Sequence, residues 1–284
     1  MHRKIFSLII TLTLGVSACG VSFDLPDITP GPTETFAIEV QQPEDVTSST
    51  RLVLTFGAGE LNIVPGAENL VSGLATYNVA DFKPEITNSP GTINVTQGSY
   101  TLNKFPNLGK VLNTWDLKLG STPMDLEITA GAYHADLELG DLSLSNLTVK
   151  DGASNVNLNF SEPNRTEMNL LRYETGASQV ALKSLANANF SILKFTGGAG
   201  NYSLDFSGNL QHDASASINT GLGNLTLIIP ESLKVQLTID GNLANINIGN
   251  NWSKNGKIYT QEGSGPMLTI AVDVGATNLI VTDN

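Results

Sequence analysis

Apolar and polar residues alternate along much of the chain after residue 50. Arg51-Leu52-Val53-Leu54-Thr55-Phe56 and Glu60-Leu61-Asn62-Ile63-Val64 carry the pattern first, and shorter runs of the same kind lie at Phe36 to Val40, Leu117 to Leu119 and Leu126 to Ile128. A period of two sends successive side chains to opposite faces of a strand. Turn pairs such as Pro65-Gly66, Ser89-Pro90 and Pro90-Gly91 separate the runs. No apolar stripe of helical period has convincing length beyond Ala18, so the pattern predicts an all-β protein.

The alternation is also periodic on a longer scale. Gly131-Ala132-Tyr133-His134-Ala135-Asp136-Leu137-Glu138-Leu139 is followed by Gly152-Ala153-Ser154-Asn155-Val156-Asn157-Leu158-Asn159-Phe160, and related units begin at Gly176, Gly198, Gly221 and Gly275, with Gly57-Ala58-Gly59-Glu60-Leu61-Asn62-Ile63 ahead of them. From Gly131 to Gly221 the leading glycines recur at a nearly constant interval of about 22 residues, the signature of a repeat architecture. Each unit reads as a glycine turn, a small residue, a polar turn residue and an alternating strand. The glycine is expected to take positive φ, and Asn155, Asn201, Asn224 and Asn278 to adopt the left-handed region or cap the turn. Leu142-Ser143-Leu144, Ser191-Ile192-Leu193 and Val235-Gln236-Leu237-Thr238-Ile239 supply a second strand per unit. Such a unit cannot bury its apolar side alone, whereas stacked units form one core. The architecture expected is a single-stranded β-helix, or β-solenoid, with coils of about 22 residues. Its inward residues are Leu137, Val156, Leu158, Val180, Leu182, Tyr202, Leu204, Leu225, Leu227, Leu279 and Val281; its outward ones are Asp136, Glu138, Asn157, Asn159, Lys183, Ser203 and Thr226. About seven coils at roughly 4.7 Å per rung give a stack about 35 Å tall.

The N-terminus has a different character. His2, Arg3 and Lys4 precede an apolar and small-residue run from Ile5 to Val16, followed by Ser17-Ala18-Cys19-Gly20. A basic start and an apolar core of about a dozen residues, shorter than the roughly 20 needed to span a bilayer, make the segment 1–18 a signal peptide. Small residues before a cysteine resemble the bacterial lipobox, which implies cleavage before Cys19 and lipid attachment to its thiol. Cys19 is also the sole cysteine in 284 residues, and an exported lone thiol is an oxidation liability unless modification consumes it. Two acyl chains anchor stably where one does not. The expected location is the outer face of the cell membrane or an outer membrane. The segment 19–50, with Pro26, Pro30, Pro32 and Pro43 among Thr, Ser, Glu and Asp, reads as a flexible tether. The body then spans 51–284, divided into atypical N-terminal coils over 51–115 and regular Gly-led repeats over 116–284.

Charge narrows the partners. Loss of the segment 1–18 removes Arg3 and Lys4 and no acid, so the formal charge of −12 becomes −14. A surface that acidic, with no basic patch in the sequence, opposes nucleic acid and anionic headgroups.

The search for chemistry finds pairs but no motif. His134 and His212 have no cysteine partner and no HExxH spacing, and no G-x-S-x-G elbow or phosphate-binding glycine loop stands between a strand and a helix. Asp125 with Glu127, and Asp136 with Glu138, lie two apart on strands and so share a face about 6.6 Å apart. That separation suits a calcium site or a pair of glycosidase carboxylates, while alternation alone also places acids on a wet face. These four are the candidate metal ligands, and no cofactor is implied. Trp115 and Trp252 could stack on a sugar, but Trp115 heads an alternating run and is expected to pack in the core.

Leu54-Thr55-Phe56-Gly57-Ala58-Gly59-Glu60-Leu61 with Asn78-Val79, Asn113-Thr114-Trp115-Asp116-Leu117-Lys118-Leu119 and the later Gly-Ala-Ser-Asn and Gly-Leu-Gly-Asn units together resemble the bacterial toast-rack family over roughly 50–284. That family is similar to the extracytoplasmic part of cell-wall-stress regulators of the LiaF type and to adhesin-like repeat domains. The resemblance implies a β-helix and an envelope location, and it carries over no catalytic residue. The chain departs from the membrane-spanning regulators in having a lipid anchor. Two function classes follow: a non-enzymatic envelope protein using a β face for adhesion, glycan contact or sensing, with cell-wall glycan or another envelope protein as partner; or a β-helix polysaccharide lyase or glycosidase using Asp136 and Glu138.

Overall fold

The computed structural model describes residues 30–42, 50–98, 111–241, 245–249 and 251–283. Cys19, the signal segment and part of the expected tether lie outside the described residues. Among those described there is no α-helix; two short 3-10 turns, Ala80–Phe82 and Leu185–Ala188, accompany sixteen strands joined in one sheet.

Seven long strands form the spine: β2 (Thr50–Pro65), β7 (Met124–Glu138), β8 (Leu144–Asn159), β9 (Met168–Lys183), β10 (Phe190–Asp205), β11 (Ala214–Ile228) and β16 (Ser264–Thr282). They lie parallel and in register, each hydrogen-bonded to the next in that order. Each runs through its leading glycine without ending there. The glycine is a mid-strand corner dividing the strand into two arms, where the sequence pattern suggested a turn that opens a strand.

Burial parity shows the bend. In β10 Leu193 and Phe195 point inward before the corner, Gly198 and Ala199 are exposed on it, and Tyr202 and Leu204 point inward after it. One inward column therefore runs Leu54, Ile128, Val149, Tyr173, Phe195, Ile218 and Val272 up the first arms, and another runs Leu61, Ala135, Val156, Val180, Tyr202, Leu225 and Leu279 up the second. Every inward residue expected from the alternation is at most 3% exposed.

The corner glycines are required by close approach of neighbouring rungs and not by positive φ, which none of the seven has. A Cβ on Gly152 would stand 2.8 Å from the Gly131 carbonyl oxygen, one on Gly176 2.4 Å from that of Gly152, and one on Gly198 2.6 Å from that of Gly176. The asparagines behind the corners are likewise extended: among described non-glycine residues only Asp141, Ser184 and Asn189 have positive φ. Their role, described below, is on the surface.

Both ends of the spine depart from simple stacking. At the N-terminal end the neighbour of β2 is split between β5 (Thr92–Gln97), which continues the first arm, and β6 (Asn113–Leu119), which continues the second. Antiparallel strands complete this cap: β4 (Pro84–Ser89) on β5, then β3 (Val71–Tyr77) on β6 and β1 (Glu34–Val40) on β3. Strand β1 lies within the stretch that composition assigned to the tether. Its alternation prevails because Ile38 and Val40 are buried at 0% and 4% exposure, although prolines surround it.

At the other end the chain leaves β11, forms β12 (Leu233–Asp240) and β13 (Asn245–Ile248), turns through β14 (Ser253–Asn255) and β15 (Ile258–Gln261), and returns as β16 between β11 and the β12/β13 rung. Rungs are therefore not stacked in chain order there. Val235 to Ile239 belongs to a rung of its own beyond β16.

Aromatic side chains fill the interior. Trp115 is fully buried, edge-on to Phe56 at 5.2 Å between ring centres, and Phe195 lies between Tyr173 at 5.7 Å and Tyr202 at 5.2 Å. The return turns are held by buried asparagines: Asn164 accepts from the Leu144 N–H at 2.8 Å and donates to the carbonyls of Leu144 at 2.9 Å and Thr166 at 2.7 Å. Stranding a buried peptide group costs about 1–3 kcal/mol, so Asn164→Ala is expected to lower stability by about 3 kcal/mol, read as a lower urea midpoint with an unchanged m-value.

Candidate functional site

The outward positions of the second arms form parallel columns. One column, in register, is Glu60, His134, Asn155, Gln179, Asn201, Asn224, Asn278 and Asn245. Two residues further along lie Asn62, Asp136, Asn157, Ala181, Ser203, Thr226 and Ile280. A run of amides thus climbs the outside of the stack because the repeats led by Gly152, Gly176, Gly198, Gly221 and Gly275 each place Asn or Gln three residues after the corner glycine, where the two before them have Glu60 and His134. Asn278 donates to the Asn224 amide oxygen at 3.0 Å, and Asn224 to that of Asn201 at 2.6 Å. Further toward the N-terminal cap the second column alternates amide and acid: Asn62 donates to Asp116 at 2.8 Å and Asn157 to Asp136 at 3.1 Å.

The four candidate acids do not converge. Asp125 and Glu127 lie on the first arm of β7, whereas Asp136 and Glu138 lie on its second arm, beyond the corner. Asp125 accepts from Asn146 at 2.8 Å, and Glu127 pairs with the Arg51 guanidinium. Asp136 faces His134 at 3.5 Å and holds Asn157. Glu138 is a turn anchor, accepting from the N–H groups of Gly140 at 2.8 Å and Ser161 at 3.1 Å and from Asn159 at 2.8 Å. Each acid thus joins neighbouring rungs or a turn. Among the described residues no group of three or more His, Cys, Asp or Glu is placed to hold a metal ion. Trp115 is in the core, and Trp252 is half-buried.

A second polar cluster, which the alternation did not reveal, sits inside the corner. Asp151 occupies an inward position just before Gly152 and receives hydroxyls from Tyr173 at 2.7 Å, Ser154 at 2.9 Å and Thr175, with Tyr133 at 3.5 Å. Thr175 also bonds Ser178 at 2.6 Å. Burial, and then the Asp151 charge, hold the Tyr133 phenol above its ordinary value; Tyr173 is raised chiefly by burial as well. Below the ordinary tyrosine value of about 10 both phenols are neutral folded or unfolded, so their contribution is fully present. Above it the unfolded chain releases protons that the folded chain retains, and stability falls by about 1.4 kcal/mol per pH unit per tyrosine. Urea titrations from about pH 9 to about pH 11.5 are expected to show that decline, with a shallower slope in Tyr173→Phe.

Residues 29–171 match the family model for the N-terminal domain of toast_rack, DUF2154. The chain belongs to the toast-rack family. One solved structure shares the fold of this chain at low identity. A candidate cell adhesion protein from Clostridium sporogenes aligns at 20% identity with a TM-score of 0.50, covering 89% of this chain and 100% of that one. A candidate lipid binding protein from Parabacteroides distasonis aligns at 10% identity and TM-score 0.41, covering 90% and 99%. A candidate adhesin from Bacteroides fragilis does so at 11% and 0.40, covering 89% and 99%. No curated protein matches the chain.

Proposed function

We propose that this toast-rack protein is an exported, lipid-anchored envelope protein that works without catalysis, presenting the outer face of a single-stranded β-helix for adhesion or sensing. Its coils are of about 22 residues, each one repeat of the solenoid. The reading is carried by the way the second arms are built. Their acids hold rungs and turns together, while the amide and hydroxyl columns beside them are displayed in register across successive strands. Membership of the toast-rack family and the fold shared with the candidate cell adhesion protein support it. Among the described residues no helix is long and apolar enough to cross a membrane. The anchor is assigned to Cys19, with the segment 1–18 as the removed signal and the stretch between Cys19 and β1 as the link to the body.

Two experiments test the reading. In Cys19→Ser the precursor is expected to stay uncut and the protein to leave the membrane fraction; unchanged membrane association would overturn the anchor. A polysaccharide panel incubated with the protein is expected to show no turnover. Cleavage that either Asp136→Ala or Glu138→Ala abolishes would replace the adhesive reading with a lyase or glycosidase.

A further inference from the structure

We propose that the outer face of β8 to β11, on their second arms, is a binding site for an extended, uncharged glycan; this rests on the adhesive reading and names its face and ligand class. A shallow, open concavity of about 180 Å³ crosses these four strands. Its floor is Ala181, the short member of a column whose neighbours on either side are Asn157 and Ser203. Four rungs at roughly 4.8 Å spacing make it about 14 Å long, a trough to be occupied lengthwise.

The chemistry of the lining selects the ligand. In a chain of net charge −12 the trough is walled by uncharged polar side chains, with Asp136 and Lys183 on adjoining positions outside it. The amides of Asn155 and Gln179 and the hydroxyls of Ser203 and Thr226 make no hydrogen bond within the described protein and line the open space. Asn201 is committed through its oxygen to Asn224, which leaves its N–H pair for a ligand. An amide offers one acceptor oxygen and two donors, and neighbouring sugar hydroxyls each donate and accept, so a column of amides suits a row of hydroxyls. These groups sit on strands paired on both sides, so little side-chain and no loop ordering is needed on binding.

The same pairing excludes peptide capture by strand addition, because β8 to β11 have no free edge here. The acidic charge of the chain disfavours anionic polysaccharides. The ring nearest the floor, Tyr202, is only 2% exposed and offers no stacking surface, so hydrogen bonds along several sugars supply the affinity and it grows with chain length.

The test uses the full chain in detergent with fluorescent neutral hexasaccharides (β-1,4-glucan, β-1,3-glucan, N-acetylglucosamine and mannose series), their monosaccharides, and hexagalacturonate as the anionic comparison. At least one neutral hexamer is expected to bind at least tenfold more tightly than its monosaccharide and than hexagalacturonate. Gln179→Ala/Asn201→Ala should weaken that binding at least tenfold, and Ala181→Tyr, which fills the floor without removing a polar group, should abolish it. Lys150→Ala/Lys194→Ala on the first arms should leave it unchanged. Binding by no neutral hexamer, or equal binding by all variants, would overturn the site. Isolated envelope fragments serve as a second probe: if wild type and trough variants retain them equally, the adhesive reading survives and this site does not; if none retains them, the adhesive reading fails too.

Discussion

Gly176→Ala is expected to destabilise the protein by about 3 kcal/mol, the upper end of the cost of overpacking a well-filled site. The added methyl would lie 2.4 Å from the Gly152 carbonyl oxygen, a backbone atom that cannot swing away as a side-chain tip could. Nor can the strand retreat, since β9 is bonded in register to β8 on one side and β10 on the other. Gly249→Ala is the matched control: a Cβ there meets nothing within 4 Å and the residue does not have positive φ. It should change stability by less than about 0.5 kcal/mol. Urea denaturation of the two variants reads the difference directly, and equal midpoints would mean that the corner backbones are not in contact.

Phe195→Ala is expected to cost about 3–5 kcal/mol, the range for removing a buried aromatic side chain and leaving a cavity. Phe195 is 0% exposed, and its ring is flanked by Tyr173 and Tyr202 from two different columns, so no single neighbour can move to refill the space. Earlier on the same arm, Ile192 is 43% exposed and points outward. Ile192→Ala should cost under about 1 kcal/mol. The contrast checks burial parity on the first arm, because slipping the register by a single position would exchange the two results.

The inward and outward sets of the second arms were legible because alternation reports which face is buried, whatever the neighbours are. Leu158, Val180 and Leu227 needed nothing more. The purpose of the corner glycines was not legible, because a repeated glycine is equally compatible with positive φ and with close backbone approach, and only the position of the next rung distinguishes them. The same holds for Asn155 and its equivalents: a turn cap and a surface ladder select the same residue.

Stacking order is a long-range property. Still, the interval between Gly221 and Gly275 is more than twice that between successive corner glycines from Gly131 to Gly221, and it marks the excursion that forms β12 to β15. Each acid pair does lie on one strand, as alternation requires. That Asp125/Glu127 and Asp136/Glu138 face different ways follows from a corner the alternation alone does not announce. Asp151 was not legible as a cluster centre because a charged residue at an inward position contradicts the pattern, and that contradiction is itself the available signal.

Cross-linking tests the rung order most directly. On a Cys19→Ser background, which removes the only native thiol, the pair Asn224→Cys/Asn278→Cys places two thiols on adjacent strands β11 and β16, whereas Asn224→Cys/Asn245→Cys places them two rungs apart. Adjacent strands are about 4.8 Å apart, within the Cα separation a disulfide can bridge, and two rungs exceed the limit of about 7 Å. Mild oxidation is expected to cross-link the first pair and not the second. A disulfide in the second double variant and none in the first would mean that the rungs stack in chain order, and the ladder of glycines within and amides without would not have the register described.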